Sequence, residues 1–238
     1  MNGSKIENSK EIIRKILPNK LIQTAFGPAR KQFLTLAYKR SDFQFFHVNK
    51  CGGTSVERAL GLPFLNHDLA IERQERVGKD KWNNNFTFTV CRNPYDRMES
   101  IFFYQNRFKN IPVSDYQSEF EQYLKQISQS NYPLGKPKMF KSQAYWISDS
   151  ANNKVLVNGA LPLERIQEGW PILKGKVPKA GDLEHLKSRV QKSKNRAIYT
   201  QTSIKFVKEI YSIDFELFGY SKDFNASKAP EKVFIEFS

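Results

Sequence analysis

The residues with chemistry to offer fall into two short clusters and one lone side chain between them. The first cluster is Lys50-Cys51-Gly52-Gly53-Thr54-Ser55, a cation followed by paired glycines and hydroxyls. Glycines let main-chain N–H groups approach a ligand closely. A helix starting there adds unpaired N–H donors and the positive end of a dipole, so the stretch suits an oxyanion such as phosphate. The second cluster is Arg92-Asn93-Pro94-Tyr95-Asp96-Arg97, with Ser100 shortly after. A guanidinium meets phosphate through two parallel hydrogen bonds, and a nearby hydroxyl completes the grip. Between the clusters stands His67, whose imidazole has the right basicity to take a proton from a hydroxyl near neutral pH. Structural roles compete with each reading. Lys50 suits the rim of an ordinary turn, Arg92 suits an ion pair with Asp96, and His67 suits a loop beside an Asn66 or Asp68 helix cap. The first cluster is not a Walker A loop, because its Lys precedes the glycines.

The surrounding sequence supplies elements that can hold these groups. Residues 43–48 form a short apolar run, a buried strand, leading into the first cluster. Thr54 and Ser55 then cap a helix over 56–60 that Gly61 ends. Residues 86–91 are rich in β-formers and read as a second strand running into Arg92. Pro94 suits the first turn of the following helix, on which Met98, Ile101 and Phe102 share an apolar face. Further helices are expected over 69–77, 115–130 and 199–211, and a strand over 154–158. Residues 1–40 are a helical lead-in, clearest over 8–20, and residues 221–238 are a tail carrying a candidate strand at 233–237.

Several of these segments together resemble the carbohydrate sulfotransferases, the Golgi-type enzymes and their bacterial relatives. His47-Val48-Asn49-Lys50-Cys51-Gly52-Gly53-Thr54-Ser55 is similar to that family's His-Val/Ile-Pro-Lys-Thr-Gly-Gly-Thr-Ser loop, with Asn49 in place of Pro and Cys51 in place of Thr. Arg92 to Ser100 resembles its Val-Arg-Asn-Pro-Tyr/Trp-Asp-Arg-x-x-Ser segment. Residues 210–220 resemble its Tyr-x-x-Asp-x-x-x-Phe-Gly-Tyr ending, Gln143 to Trp146 its Gln-containing segment, and Leu163 to Trp170 its Phe-Glu-Asn-Leu turn. The resemblance spans about residues 43–220. It implies an α/β fold with a mainly parallel central sheet flanked by helices, a P-loop-NTPase-like sulfotransferase core.

The resemblance also implies roles. The loop over Lys50, Cys51, Gly52, Gly53, Thr54 and Ser55 would hold the 5′-phosphosulfate of 3′-phosphoadenosine 5′-phosphosulfate (PAPS). Arg92 and Ser100 would bind the 3′-phosphate. Lys192 and Ser193 would close over the nucleotide, with His185 to Ser188 as the rival alignment. Lys50 and His67 would be the catalytic pair, His67 as base toward a hydroxyl acceptor, a glycan by analogy. Glu164 reads as a structural hydrogen-bonding residue and Arg97 as a brace for the loop through Asp96.

Composition bounds these readings. With 238 residues the chain is simplest as one domain, and Lys+Arg against Asp+Glu, 38 − 24, leaves +14. That balance favours polyanionic partners: nucleotides, acidic glycans, nucleic acid or acidic membrane. The 2 cysteines and 3 histidines give neither a disulfide framework nor zinc spacing, so no metal is expected. No apolar run is long enough to span a membrane, and no apolar stretch follows Met1-Asn2-Gly3-Ser4-Lys5, so a cytoplasmic protein is expected. Two alternatives stand beside sulfotransfer. A P-loop-type nucleotide kinase requires a Lys after the glycines and an acidic magnesium ligand. A non-enzymatic polyanion- or nucleic-acid-binding protein requires only the charge.

Overall fold

Two parallel strands carry both clusters. β1 (Phe43–Phe46) lies beside β2 (Phe86–Cys91), with Phe43 opposite Phe86 and Phe46 opposite Thr89. β5 (Gly159–Pro162) continues the sheet parallel to β2, and β6 (Ile235–Glu236) closes the edge antiparallel to β5. The sheet order is β1-β2-β5-β6, and β3 (Ser148–Asp149) pairs separately with β4 (Lys154–Val155). Helices occupy the connections: α1 (Gly53–Ala59), α2 (Ala70–Val77), α3 (Lys79–Asn83), α4 (Pro94–Gln105), α5 (Tyr116–Ser128), α6 (Pro137–Phe140), α7 (Gln143–Ile147), α8 (Ile166–Lys176), α9 (Gln201–Ile210) and α10 (Ser212–Phe218). This is an α/β fold with a small, mostly parallel sheet flanked by helices.

The computed structural model describes residues 35–36, 38–62, 67–107, 109–130, 137–149, 151, 154–183 and 198–237. The chain divides into two compact units, Met1–Ser41 and Asp42–Ser238. In the first, residues 38–40 are helical and Ser41 N–H donates to the Tyr38 carbonyl at 3.2 Å. The helix expected over 8–20 and the basic loop with Lys187, Ser188, Lys192 and Ser193 lie outside the described residues. Among the described residues no helix is long and apolar enough to cross a membrane.

Both faces of the sheet are covered. Phe45, Phe46, Phe88, Val90 and Leu161 are buried, and so are Thr87 and Thr89. The buried hydroxyls are bonded rather than solvated: Thr89 Oγ1 donates to the Phe46 carbonyl at 2.8 Å, and Thr87 Oγ1 to Asn158 Oδ1 at 2.8 Å. Burying each large aromatic contributes about 1.5–3 kcal/mol, and Phe43, Phe45, Phe86 and Phe88 pack ring to ring along β1 and β2.

Three expectations shift. β1 ends at Phe46, not at residue 48, because Val48 N–H turns back to the Phe46 carbonyl at 3.2 Å. The strand expected over 154–158 divides: residues 154–155 join the outlying ribbon, Asn158 caps Thr87 with its side chain, and the sheet strand begins at Gly159. Gly159 is required there, since a Cβ would stand 2.5 Å from the Phe234 ring. Residues 221–237 are not a tail. The Lys222 carbonyl accepts from Tyr95 Oη at 2.8 Å, Lys228 Nζ pairs with Asp96 at 2.9 Å, and β6 completes the sheet. Gly169 makes room for this segment, because a Cβ there would meet the Val233 carbonyl oxygen at 2.3 Å.

Candidate functional site

The first cluster sits at the C-terminal end of β1, where open α/β sheets place their ligands. Its backbone is wound tightly: Lys50 has φ 66° and Gly52 φ 79°, both left-handed. Gly52 caps α1, which starts at Gly53, one turn earlier than the hydroxyls suggest. Thr54 and Ser55 therefore lie inside the first helical turn rather than capping it, with Thr54 exposed and Ser55 half-buried. Gly53 is glycine for a steric reason, since a Cβ there would lie 2.1 Å from His47 Cδ2. The His47 ring cannot retreat. Its Nδ1 bonds to Glu57 Oε1 at 2.8 Å, and both side chains are buried.

Arg97 braces the loop from beneath, but not through Asp96, which pairs with Lys228. The buried guanidinium donates to three carbonyls: Asn49 at 3.1 Å, Lys141 at 3.1 Å and Met139 at 3.2 Å. That direct bond to Asn49 supplies stiffness that a proline would otherwise give the position. Cys51 turns its thiol inward, donating to Gln143 Oε1 at 3.1 Å, and burial pushes its pKa up to about 12. Cys51 and Cys91 are both free thiols.

The second cluster begins where β2 ends. Arg92 is half-buried and its Nη1 donates to the Lys50 carbonyl at 3.2 Å, joining the two clusters directly. Asn93 caps α4 by accepting from Tyr95 N–H at 3.0 Å, while its own N–H donates to Glu164 Oε1 at 2.8 Å. Tyr220 Oη donates to Glu164 Oε2 at 2.8 Å, and burial raises the Glu164 pKa. Glu164 is thus a structural acceptor, as expected. Ser100 is half-buried on α4. One turn further along, the exposed Tyr104 ring lies under Lys50 Nζ at 4.3 Å and Arg107 Cζ at 4.2 Å.

His67 is brought to the same place. Its Nδ1 lies 2.9 Å from the His47 carbonyl, and the two imidazole centroids are 4.5 Å apart, edge to face. A carbonyl only accepts, so Nδ1 carries the proton and neutral His67 has its lone pair on Nε2. Burial holds its pKa below the usual 6.5, favouring that neutral form at pH 7. The neighbouring Asp68 is committed to Arg76 at 2.8 Å and is not a helix cap; Leu69 takes that position before α2.

Lys50, Gly52, Gly53, Thr54 and Ser55 therefore share one loop that Arg92 joins through the Lys50 carbonyl, His67 borders it through His47, and Ser100 lies on the helix whose next turn touches Lys50. The group offers two cations, two hydroxyls and a neutral imidazole. The carboxylates of Glu57 and Glu164 are engaged by His47, Asn93 and Tyr220. Such a set can hold an oxyanion and accept a proton. Tyr104 is not singled out by the sequence, where its place four residues after Ser100 on the same helix is the one signal for it, and nothing local signals the bond from Cys51 to Gln143. Compared with protein-family models, curated proteins and solved structures, the chain matches none of them.

Proposed function

We propose that the chain is a PAPS-dependent sulfotransferase with a P-loop-like core, acting on a hydroxyl of a carbohydrate. The observation that carries this reading is the contact between the two clusters: the Arg92 guanidinium bonded to the Lys50 carbonyl across adjacent parallel strands. A nucleotide phosphorylated at both ends needs two oxyanion grips at one sheet edge, and the donor set fits that need. Lys50 with Thr54 and Ser55 would hold the 5′ side; Arg92 and Ser100 would hold the 3′-phosphate. PAPS, when bound, supplies the sulfuryl group. Lys50 offsets negative charge at the 5′-phosphate, where fixed positive charge contributes most. His67 Nε2 takes the proton of the acceptor hydroxyl, and the bond from Nδ1 to the His47 carbonyl holds the ring in the tautomer for it.

Two results test this. In thermal shift, 3′-phosphoadenosine 5′-phosphate should raise the melting temperature more than ATP; stabilisation by ATP alone would return the chain to the kinase reading. His67→Ala should lower sulfate transfer by about 10²–10⁴-fold, with nucleotide affinity kept. Because the His67 pKa is lowered in the ligand-free protein, the base stays neutral below the usual range, so the acid limb of kcat/KM should fall below pH 6.5. Full transfer by His67→Ala, assayed with labelled PAPS over a glycan panel, removes His67 as the base.

A further inference from the structure

Gln143 is the residue on which the loop, the second cluster and the C-terminal helix meet. Its side chain is fully buried. Oε1 accepts from Arg92 N–H at 2.8 Å and from the Cys51 thiol at 3.1 Å. Nε2 donates to the Arg92 carbonyl at 2.8 Å and approaches Asp214 Oδ2 at 3.4 Å. Asp214, itself buried, accepts from the main-chain N–H of Gln143 at 2.8 Å and of Ala144 at 2.9 Å.

The paired bonds to Arg92 matter most. One carboxamide satisfies both the N–H and the C=O of a single residue, as a neighbouring strand would. Arg92 stands one residue past β2, where no strand partner is paired with it. A residue at a strand end without such a partner frays, and its side chain samples many directions. Gln143 removes that freedom at the point where the guanidinium must reach both the Lys50 carbonyl and a ligand.

We infer that Gln143 is a positioning residue that sets selectivity for the 3′-phosphate, acting through the main chain of Arg92. This rests on the sulfotransferase reading, in which Arg92 grips that phosphate. A residue needed only for folding would affect all adenine nucleotides alike. A residue that aims Arg92 affects only those carrying the 3′-phosphate.

The test uses two probes that differ only there: 3′-phosphoadenosine 5′-phosphate and adenosine 5′-phosphate, titrated by calorimetry into wild type, Gln143→Leu, Gln143→Glu and Arg92→Ala. Gln143→Glu keeps the acceptor and nearly the same shape but loses the donor to the Arg92 carbonyl. In Gln143→Glu, which breaks one bond to Arg92, the bisphosphate should bind about tenfold more weakly, the usual cost of one broken buried hydrogen bond, and in Gln143→Leu, which breaks both, at least as weakly. The monophosphate should stay within about twofold, repeating the Arg92→Ala pattern. Equal losses for both probes, an undiminished bisphosphate preference, or failure of both variants to fold each overturns the inference and leaves Gln143 a residue of the fold alone. A wild type without any bisphosphate preference overturns the sulfotransferase reading first, and is distinguished because it appears before any substitution is made.

Discussion

Gly53→Ala should destabilise the protein by about 3 kcal/mol, the upper part of the range for overpacking a close-packed site. Helix propensity alone argues the other way, since Ala in place of Gly within a helix gains about 1 kcal/mol. Geometry decides between them. The new methyl would lie 2.1 Å from His47 Cδ2, 2.5 Å from Cγ and 2.5 Å from Nε2, so the whole ring edge blocks it. The ring is fixed by Glu57 and enclosed, and the helix backbone has to shift instead. Gly175→Ala in α8 is the matched control. That glycine is exposed, with nothing within 4 Å of its would-be Cβ, and the same change should stabilise by about 1 kcal/mol. Denaturant midpoints of the two variants should therefore move in opposite directions. Movement in the same direction would mean that the His47 ring yields and does not wall the loop.

On the proposed sulfotransferase reading, Lys50→Gly should lower transfer by about 10²–10³-fold while leaving the fold intact or firmer. Lys50 is held at φ 66°, a conformation costing a side-chain-bearing residue about 1 kcal/mol or more. Glycine adopts it freely, so the substitution relieves strain at the same step that deletes the ammonium. Loss of one positioned charge-stabilising group lowers kcat by about 10²–10³-fold. An inactive variant whose melting temperature equals or exceeds that of the wild type cannot be explained by unfolding. Retained transfer in Lys50→Gly would instead remove Lys50 from the reaction. The left-handed turn here holds a lysine at a conformational cost that glycine would not carry.

The two strands that carry the site were legible because they announce themselves locally. Residues 43–46 and 86–91 are dense in Phe, Thr and Val, and each runs directly into a cluster of chemically distinctive residues. Helix α4 was legible from Pro94 and the spacing of Met98, Ile101 and Phe102. The third strand was misplaced because Gly159-Ala160-Leu161-Pro162 has neither β-branched residues nor alternation; it is a strand because it pairs with β2 on one side and β6 on the other, with Gly159 against Phe234. The helix start at Gly53 was misplaced because Thr54 and Ser55 are good caps in isolation, while the turn at Gly52 opens the helix one turn sooner. Contacts of long range left no local trace at all. Arg97 to Asn49, Gln143 to Arg92 and Asp214 to Gln143 join residues 48, 51 and 71 places apart, and only the folded chain pairs them.

The buried thiols have a consequence for how the site can be watched in solution. Cys51 lies in the first loop and Cys91 ends the strand leading to the second, each 1% exposed or less. With its pKa pushed up to about 12 by burial, Cys51 is held as the neutral thiol at pH 7, so in the closed protein it is chemically silent. A thiol reagent reaches it only when the segment around it swings open. The rate at which each cysteine is trapped is then a clock for local opening, the rate of an open thiol scaled down by the free energy of that excursion. A ligand bridging the two clusters would slow both clocks together, and one seated on a single cluster would slow one.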